Sequence, residues 1–264
     1  MIVKSIKRTL IVTLFFYFPA QAGAWGLLGH RIVGQIADSY LTKHTKKEIA
    51  KILGDESIAM ASNWPDFIKS DPAYSYLSPW HYLDFSAGQT ADQIQSFLAK
   101  DTAVDAYTKI NFLVGELKNK SLEKNKQVMY LRLLIHIVGD IHQPLHCGRR
   151  EDQGGNKIKV TWFNSSYNLH QIWDQQLINY QQLSYTEYAT AINHTTKDQV
   201  KELQSQPLSQ WIIASYQTAE KIYNDIKPDD KLDYLYNFKY LDTLNQQLLM
   251  GGVHLAGLLN EIFG

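Results

Sequence analysis

The chain has one cysteine, Cys147, in 264 residues. No intramolecular disulfide can form, so stability must come from the core and from any ions it binds. Excess charge of one sign is also missing, since 26 basic residues face 26 acidic ones. That balance excludes a passive polyanion coat held by counterion release, and any attraction to phosphate must be local. Beyond the first two dozen residues no apolar run is long enough to cross a bilayer. Repeats, low-complexity tracts and Pro/Gly/Ser linkers are absent as well. The expectation is one continuous domain over residues 25–264.

What is present begins with a leader. Lys4, Lys7 and Arg8 precede the apolar stretch Leu10 to Phe18, and Ala22-Gly23-Ala24 offers a small-residue exit. Residues 1–24 therefore read as a secretory signal peptide, removed in the mature protein; an uncleaved anchor or a buried first helix is the alternative. Cleavage leaves 23 basic against 26 acidic residues and makes Trp25 the first residue. Its free α-amino group would then lie near His30, and an amine beside an imidazole can chelate a metal. An exported protein, periplasmic or secreted, is expected, monomeric and without stable membrane association after processing.

The remainder is mostly helical by pattern. Helices are expected at Gly29 to Tyr40, Lys46 to Leu53 (stopped by Gly54), Ala91 to Leu98, Ala103 to Leu117 and Lys126 to Gly139. More are expected at Asn168 to Leu177, Thr186 to Ile192, Ser209 to Tyr223 and Tyr240 to Leu259. Asn63 to Phe85, broken by Pro65, Pro72 and Pro79, reads as irregular and aromatic-rich. Asp152 to Phe163 carries a Gly154-Gly155-Asn156 turn and then alternating Lys157 to Thr161, the pattern of a short hairpin. The fold class is all-α with a small peripheral β-hairpin.

The chemistry concentrates in His136-Ile-Val-Gly-Asp140-Ile-His142-Gln-Pro-Leu-His146. His136 and Asp140, four apart, share a helix face and can converge on one cation. His146 follows a proline break that can turn the chain back to the same cleft. His170 and Asp174 repeat the four-residue spacing. Imidazole and carboxylate donors in low coordination suit zinc with a position left for water. With Trp25, His30, Asp66 and His81 they point to a multinuclear site. His142 lies off the face of Asp140 and reads as orienting a carboxylate, while His44, His194 and His254 read as solvated or packing residues.

These residues resemble the S1/P1 nuclease family, zinc-dependent enzymes that degrade single-stranded nucleic acid and often remove 3′-phosphates from nucleotides. The resemblance spans almost the whole mature chain. Its motifs come in order: Trp25-Gly with His30, Asn63-Trp-Pro-Asp66, Trp80-His81-Tyr82, the His136 to His146 motif, Gly154-Gly-Asn156 and His170-x-x-Trp-Asp174. It implies a mainly α-helical fold, like that of phospholipase C and P1 nuclease, with three zinc ions per chain in a cleft. One would be held by Asp66, His81, His136 and Asp140, and another by His146, His170 and Asp174. The third would take the amine and carbonyl of Trp25, His30 and a bridging Asp140. The lone cysteine departs from disulfide-bonded eukaryotic members and points to a bacterial one.

The resemblance also implies roles around the metals. Asp66 would ligate and orient the attacking water, and Lys69 would contact a phosphate oxygen unless it is a solvated surface lysine. Asn156 would donate to the transition state unless it is only a turn residue. Tyr82 would stack on an unpaired base and Asp84 would accept hydrogen bonds from it. The implied substrates are single-stranded RNA and DNA, cut to 5′-phosphorylated products, and 3′-nucleotides. Two alternatives stand beside this reading. A zinc-dependent phospholipase C shares the donor set but needs a membrane-docking segment, and a metal-stabilised binding domain would have closed, cysteine-rich sites.

Overall fold

The computed structural model describes residues 25–264, so the leader expected over residues 1–24 lies outside the described residues. In chain order the elements are α1 (Leu27–Tyr40), α2 (Lys43–Leu53), α3 (Ile58–Ala61), α4 (Trp64–Phe67), α5 (Ala91–Leu98), α6 (Ala106–Lys118) and α7 (Lys124–Asp140). There follow β1 (Lys159–Trp162), β2 (Ser165–Asn168), α8 (Leu169–Gln171), α9 (Leu177–Tyr180), α10 (Tyr185–Ile192) and α11 (Lys197–Ser205). The chain ends with α12 (Leu208–Asn224), β3 (Lys231–Leu232) and α13 (Tyr234–Phe263). The fold is predominantly α-helical with a small peripheral sheet, as the sequence pattern implies.

Local chemistry starts the helices. Reciprocal side-chain caps join Thr90 to Gln93, Asp105 to Thr108, Asn168 to Gln171, Ser184 to Glu187 and Thr196 to Gln199. Each satisfies two backbone N–H donors that a helix start would otherwise strand. The C-terminal half of α7 then sets the centre of the molecule, because every residue from 133 to 140 is buried. A helix apolar on all sides needs neighbours on all sides. These include α1 and the 30-residue α13, which also pack on each other.

Helices α1 and α13 meet closely because α13 carries Gly251 and Gly252 at the contact. A Cβ on Gly252 would lie 2.4 Å from Ile36 Cγ2 and 2.5 Å from its Cβ. Ile36 and Val33 are both buried in that seam. The contact positions α1, and with it His30.

The strands depart from the expected hairpin. Asp152 to Lys157 form no strand, and the hairpin instead joins β1 to β2 through Phe163 and Asn164, with Lys159 opposite Asn168 and Trp162 opposite Ser165. The Gly154-Gly155-Asn156 turn belongs to a separate loop. A parallel pairing of β1 with β3 makes the sheet three-stranded, order β2-β1-β3. The proline-broken stretch 63–85 contains α4 and two 3-10 segments, Ile68–Ser70 and Pro72–His81. Proline suits such short pieces, since it needs no amide donor at their first turn. Helix α11 has no fully buried residue and packs only the half-buried Val200 and Leu203 against the core, a weak signal in the sequence. No helix among the described residues is long and apolar enough to cross a membrane.

Candidate metal centre

Five imidazoles and three carboxylates converge beneath one cleft. Helix α7 supplies His136 and Asp140 from its last turns, with His136 Nε2 3.2 Å from Asp140 Oδ2. The chain then breaks at Pro144 into a short 3-10 turn, Pro144–Cys147, which carries His146. His81 ends the 3-10 segment Pro72–His81, and its Nδ1 lies 2.9 Å from Asp140 Oδ2. Asp140 Oδ1 faces the other way, 3.3 Å from His30 Nε2 on α1. The His30 and His136 rings stack at 3.8 Å. Gly139 permits this approach, because a Cβ there would stand 2.9 Å from His30 Nδ1.

His170 and Asp174 approach from the run 169–180, in which α8 and α9 flank a π turn, Ile172–Gln176. His170 Nε2 lies 3.3 Å from Asp174 Oδ2, and His146 Nε2 lies 3.7 Å from Asp174 Oδ1. The backbone of Gly26 ties this turn to the start of the described chain, donating to the Asp174 carbonyl at 2.7 Å. Trp25 is fully buried beside Gly29 and Gly139. Any donor role for its amine depends on processing at residues outside the described ones.

Three backbone carbonyls fix how the imidazoles face the centre. The Nδ1–H of His136 donates to Ser62 O at 2.6 Å, that of His146 to His81 O at 2.7 Å, and that of His170 to Gly154 O at 2.6 Å. A carbonyl only accepts, so each ring must carry its proton on Nδ1 and turn Nε2 toward the carboxylates. Without a proton or a cation between them, a lone pair would face a carboxylate oxygen. Both ring nitrogens of His30, His146 Nε2, Asp140 Oδ1 and Asp174 Oδ2 are buried with no hydrogen bond. Orphaned donors of this kind, in reach of one another, are what bound cations satisfy.

The ionisation pattern has the same origin. Burial alone would lower the His146 imidazole, but the Asp140 and Asp174 carboxylates carry it up to about 9. His136 is likewise raised against burial by Asp140 and Asp66. Burial prevails at His81, which falls to about 4, and lowers His30 and His170 as well. Against the upward push of burial, His136 and His146 hold Asp140 well below the ordinary carboxylate range. Asp66 is also lowered, by His136 and Lys69 acting against burial. In the bare protein, protons on His136 and His146 thus supply positive charge that cations would otherwise bring.

Three groups have donor atoms within 4.8 Å of one another: His30, Asp66 and His136; His81, His136 and Asp140; and His146, His170 and Asp174. They are nitrogen and oxygen donors without thiolate, a set that fits zinc. His30 therefore lies beside Asp66 as well as beside the Asp140 expected for it.

The cleft above has a volume of about 820 Å³. Its lining includes Lys69, Tyr82, Asp84, Asn156 and the imidazoles of His81, His146 and His170. Lys69 Nζ is ion-paired with the Asp66 carboxylate. Tyr82 is 42% exposed, the reverse of an ordinary core tyrosine. Burial raises the Asp84 carboxyl to about 6. Asn156 Nδ2 donates to Gln153 O at 2.9 Å, and its Oδ1 accepts from Asn168 Nδ2 at 3.3 Å.

One expectation is corrected. His142 orients no carboxylate: its Nδ1 donates to Val138 O at 2.7 Å and its Nε2 lies 2.7 Å from His254 Nδ1. His254 in turn stacks on Trp211 at 4.4 Å. The orienting residue is the next one, Gln143, whose Nε2 donates to Asp174 Oδ1 at 2.6 Å while Oε1 accepts from Leu145 N at 2.6 Å. Sequence reasoning passed over Gln143, although an amide just before a proline-started turn is a capping signal.

Fold and site together define a helical protein built around buried imidazoles and carboxylates grouped so that they could hold several metal ions. The chain belongs to the S1/P1 nuclease family, whose model matches residues 25–264. It is 30% identical to Endonuclease 3 of Arabidopsis thaliana over 97% of this chain and 95% of that protein. It is 36% identical to Nuclease S1 of Aspergillus oryzae over 58% of this chain and 54% of that protein. With Nuclease P1 of Penicillium citrinum the identity is 26%, over 91% of this chain and 98% of that protein.

Proposed function

We propose that the protein is a zinc-dependent nuclease and 3′-nucleotidase that hydrolyses single-stranded RNA and DNA to 5′-phosphorylated products. One observation carries the reading: three buried imidazoles, locked by Nδ1–H bonds to carbonyls, aim Nε2 at carboxylates beneath an open cleft. Asp66, His81, His136 and Asp140 would hold one zinc, His146, His170 and Asp174 another, and Trp25, His30 and Asp140 a third. Bound there, zinc supplies Lewis acidity, lowering the pKa of water and offsetting phosphoryl charge.

The chain's own residues supply position. Asp66 accepts a hydrogen bond from the attacking water and turns its lone pair toward phosphorus. Lys69, already held beside Asp66, extends its ammonium to a nonbridging oxygen. Asn156 has a second amide hydrogen to offer the same phosphate, since one goes to Gln153. Tyr82 offers its exposed ring to an unpaired base, and Asp84 accepts from the base edge. A base so stacked, with its phosphate over the metals, must leave a duplex, which favours single strands.

Export by removal of residues 1–24, a monomeric state and a bacterial source complete the proposal, the last supported by the single cysteine. The test uses protein confirmed to start at Trp25, assayed for zinc and for hydrolysis of single-stranded RNA, single-stranded DNA and a 3′-nucleotide. About three zincs per chain with 5′-phosphate products are expected on the trinuclear reading. Zinc binding without nucleic-acid cleavage would favour a phospholipase instead. One residue added before Trp25 should lower both zinc content and rate; unchanged values would remove the amine from the ligand set.

A further inference from the structure

We propose that Arg150 grips the phosphate of the nucleotide flanking the scissile bond, so that the site distinguishes a polynucleotide from a mononucleotide. The assignment rests on the nuclease reading above and adds a residue outside the metal and base contacts.

Two adjacent arginines have opposite fates. Arg149 is half-buried and committed: Nε and Nη2 donate to the Glu220 carboxylate at 2.7 and 3.0 Å, and its guanidinium lies 4.3 Å from the Tyr223 ring centre. Arg150 is exposed and lines the cleft. Nη2 donates to the Asp84 carbonyl at 3.1 Å, and among the described residues no carboxylate forms an ion pair with it. A guanidinium has five N–H donors, and this one makes a single side-chain hydrogen bond among the described residues. Lys69, the other long cation of the lining, is paired with Asp66.

The backbone of Arg150 is not free to wander. Its N–H donates to Phe85 O at 2.8 Å, its carbonyl accepts from Gln153 N at 3.3 Å, and Phe85 N donates to Gly148 O at 2.9 Å. Arg150 therefore sits where the segment bearing Tyr82 and Asp84 meets the loop bearing Asn156. Asp84 is three residues beyond His81, about 10 Å at an extended rise. Arg150 reaches the cleft from the Asp84 side, and the phosphate assigned to it is the neighbour of the one over the metal ligands. The planar fork of arginine matches phosphate oxygens in pairs. A 3′-nucleotide carries one phosphate, which the metal centre takes, and presents nothing to Arg150.

The experiment measures kcat and KM for a single-stranded oligonucleotide and for a 3′-nucleotide with wild type, R150Q and R150K, alongside zinc content and unfolding temperature. For R150Q, oligonucleotide kcat/KM should fall about tenfold, mostly through KM, as loss of a charge-assisted contact implies. Its ratio to 3′-nucleotide kcat/KM should fall at least about fivefold. The slope of log kcat/KM against log salt should become shallower by about 0.7, the increment for one single-strand phosphate contact. R150K, retaining the charge, should restore the slope and part of the rate. Equal losses on both substrates, or an unchanged salt slope in R150Q, overturn the proposal. A wild-type chain that cleaves neither substrate overturns the nuclease reading and this assignment with it.

Discussion

Both ends of the Gln143 amide are engaged inside the candidate metal centre, one on Asp174 and one on the Leu145 amide. Truncation frees Asp174 to rotate, and residues that orient ligands typically govern metal affinity by about 10- to 100-fold. If the site holds three zincs as proposed, Q143A should therefore weaken one by that factor and leave two in place, which a competition titration against a chromophoric chelator resolves. Cys147, beside His146, behaves differently. Burial pushes its thiol far above the ordinary range, and Sγ contacts Ile141 O at 3.7 Å. Thiol reagents should label it only on unfolding; stoichiometric labelling of the folded chain would contradict its packing. At this scale the His/Asp pairs were legible, since a spacing of four shares a face in an α-helix. His142 was not legible, because its partner His254 is 112 residues away on α13 and sequence proximity pointed to Asp140 instead.

At the scale of elements, the seam between α1 and α13 makes a stability prediction separate from chemistry. The methyl of G252A would fall within van der Waals radii of Ile36 and force the helices apart. Overpacking of this sort costs about 1–3 kcal/mol, so thermal unfolding should drop by several degrees. Because α1 carries His30, zinc should also be lost at lower chelator concentration; an unchanged unfolding temperature would mean that the seam can slide. Elements with an apolar stripe were readable: α5 has the predicted ends, and α7 differs at its boundaries only. Elements held by caps or by pairing were not. Helix α11 starts at its Thr196–Gln199 cap and lays only the half-buried Val200 and Leu203 against the core, and β3 is two residues long and exists by pairing with β1. The Gly154-Gly155 turn was visible as a turn, but nothing local told that its carbonyl serves His170 rather than closing a hairpin.

For the whole molecule, the buried centre makes stability depend on pH and zinc together. In the metal-free chain His146 is raised to about 9. A histidine raised above its unfolded value near 6.5 contributes stability that is complete below that pH and is lost as pH climbs through 9. His81 and His142 are lowered to about 4, mainly by burial, so their contributions run oppositely, complete above 6.5 and lost as pH falls toward 4. The bare protein should thus be most stable near pH 6.5 and weaken on both sides. Zinc bound at this group would take the place of the His146 proton, and that proton leaves more readily as pH rises. The rise in unfolding temperature on adding zinc should therefore grow from pH 6.5 to 9, which calorimetry of chelator-treated and zinc-loaded protein measures. An increment that is flat or shrinks over that range would mean that His146 is neutral in the bare protein and that no proton is displaced when the metal enters.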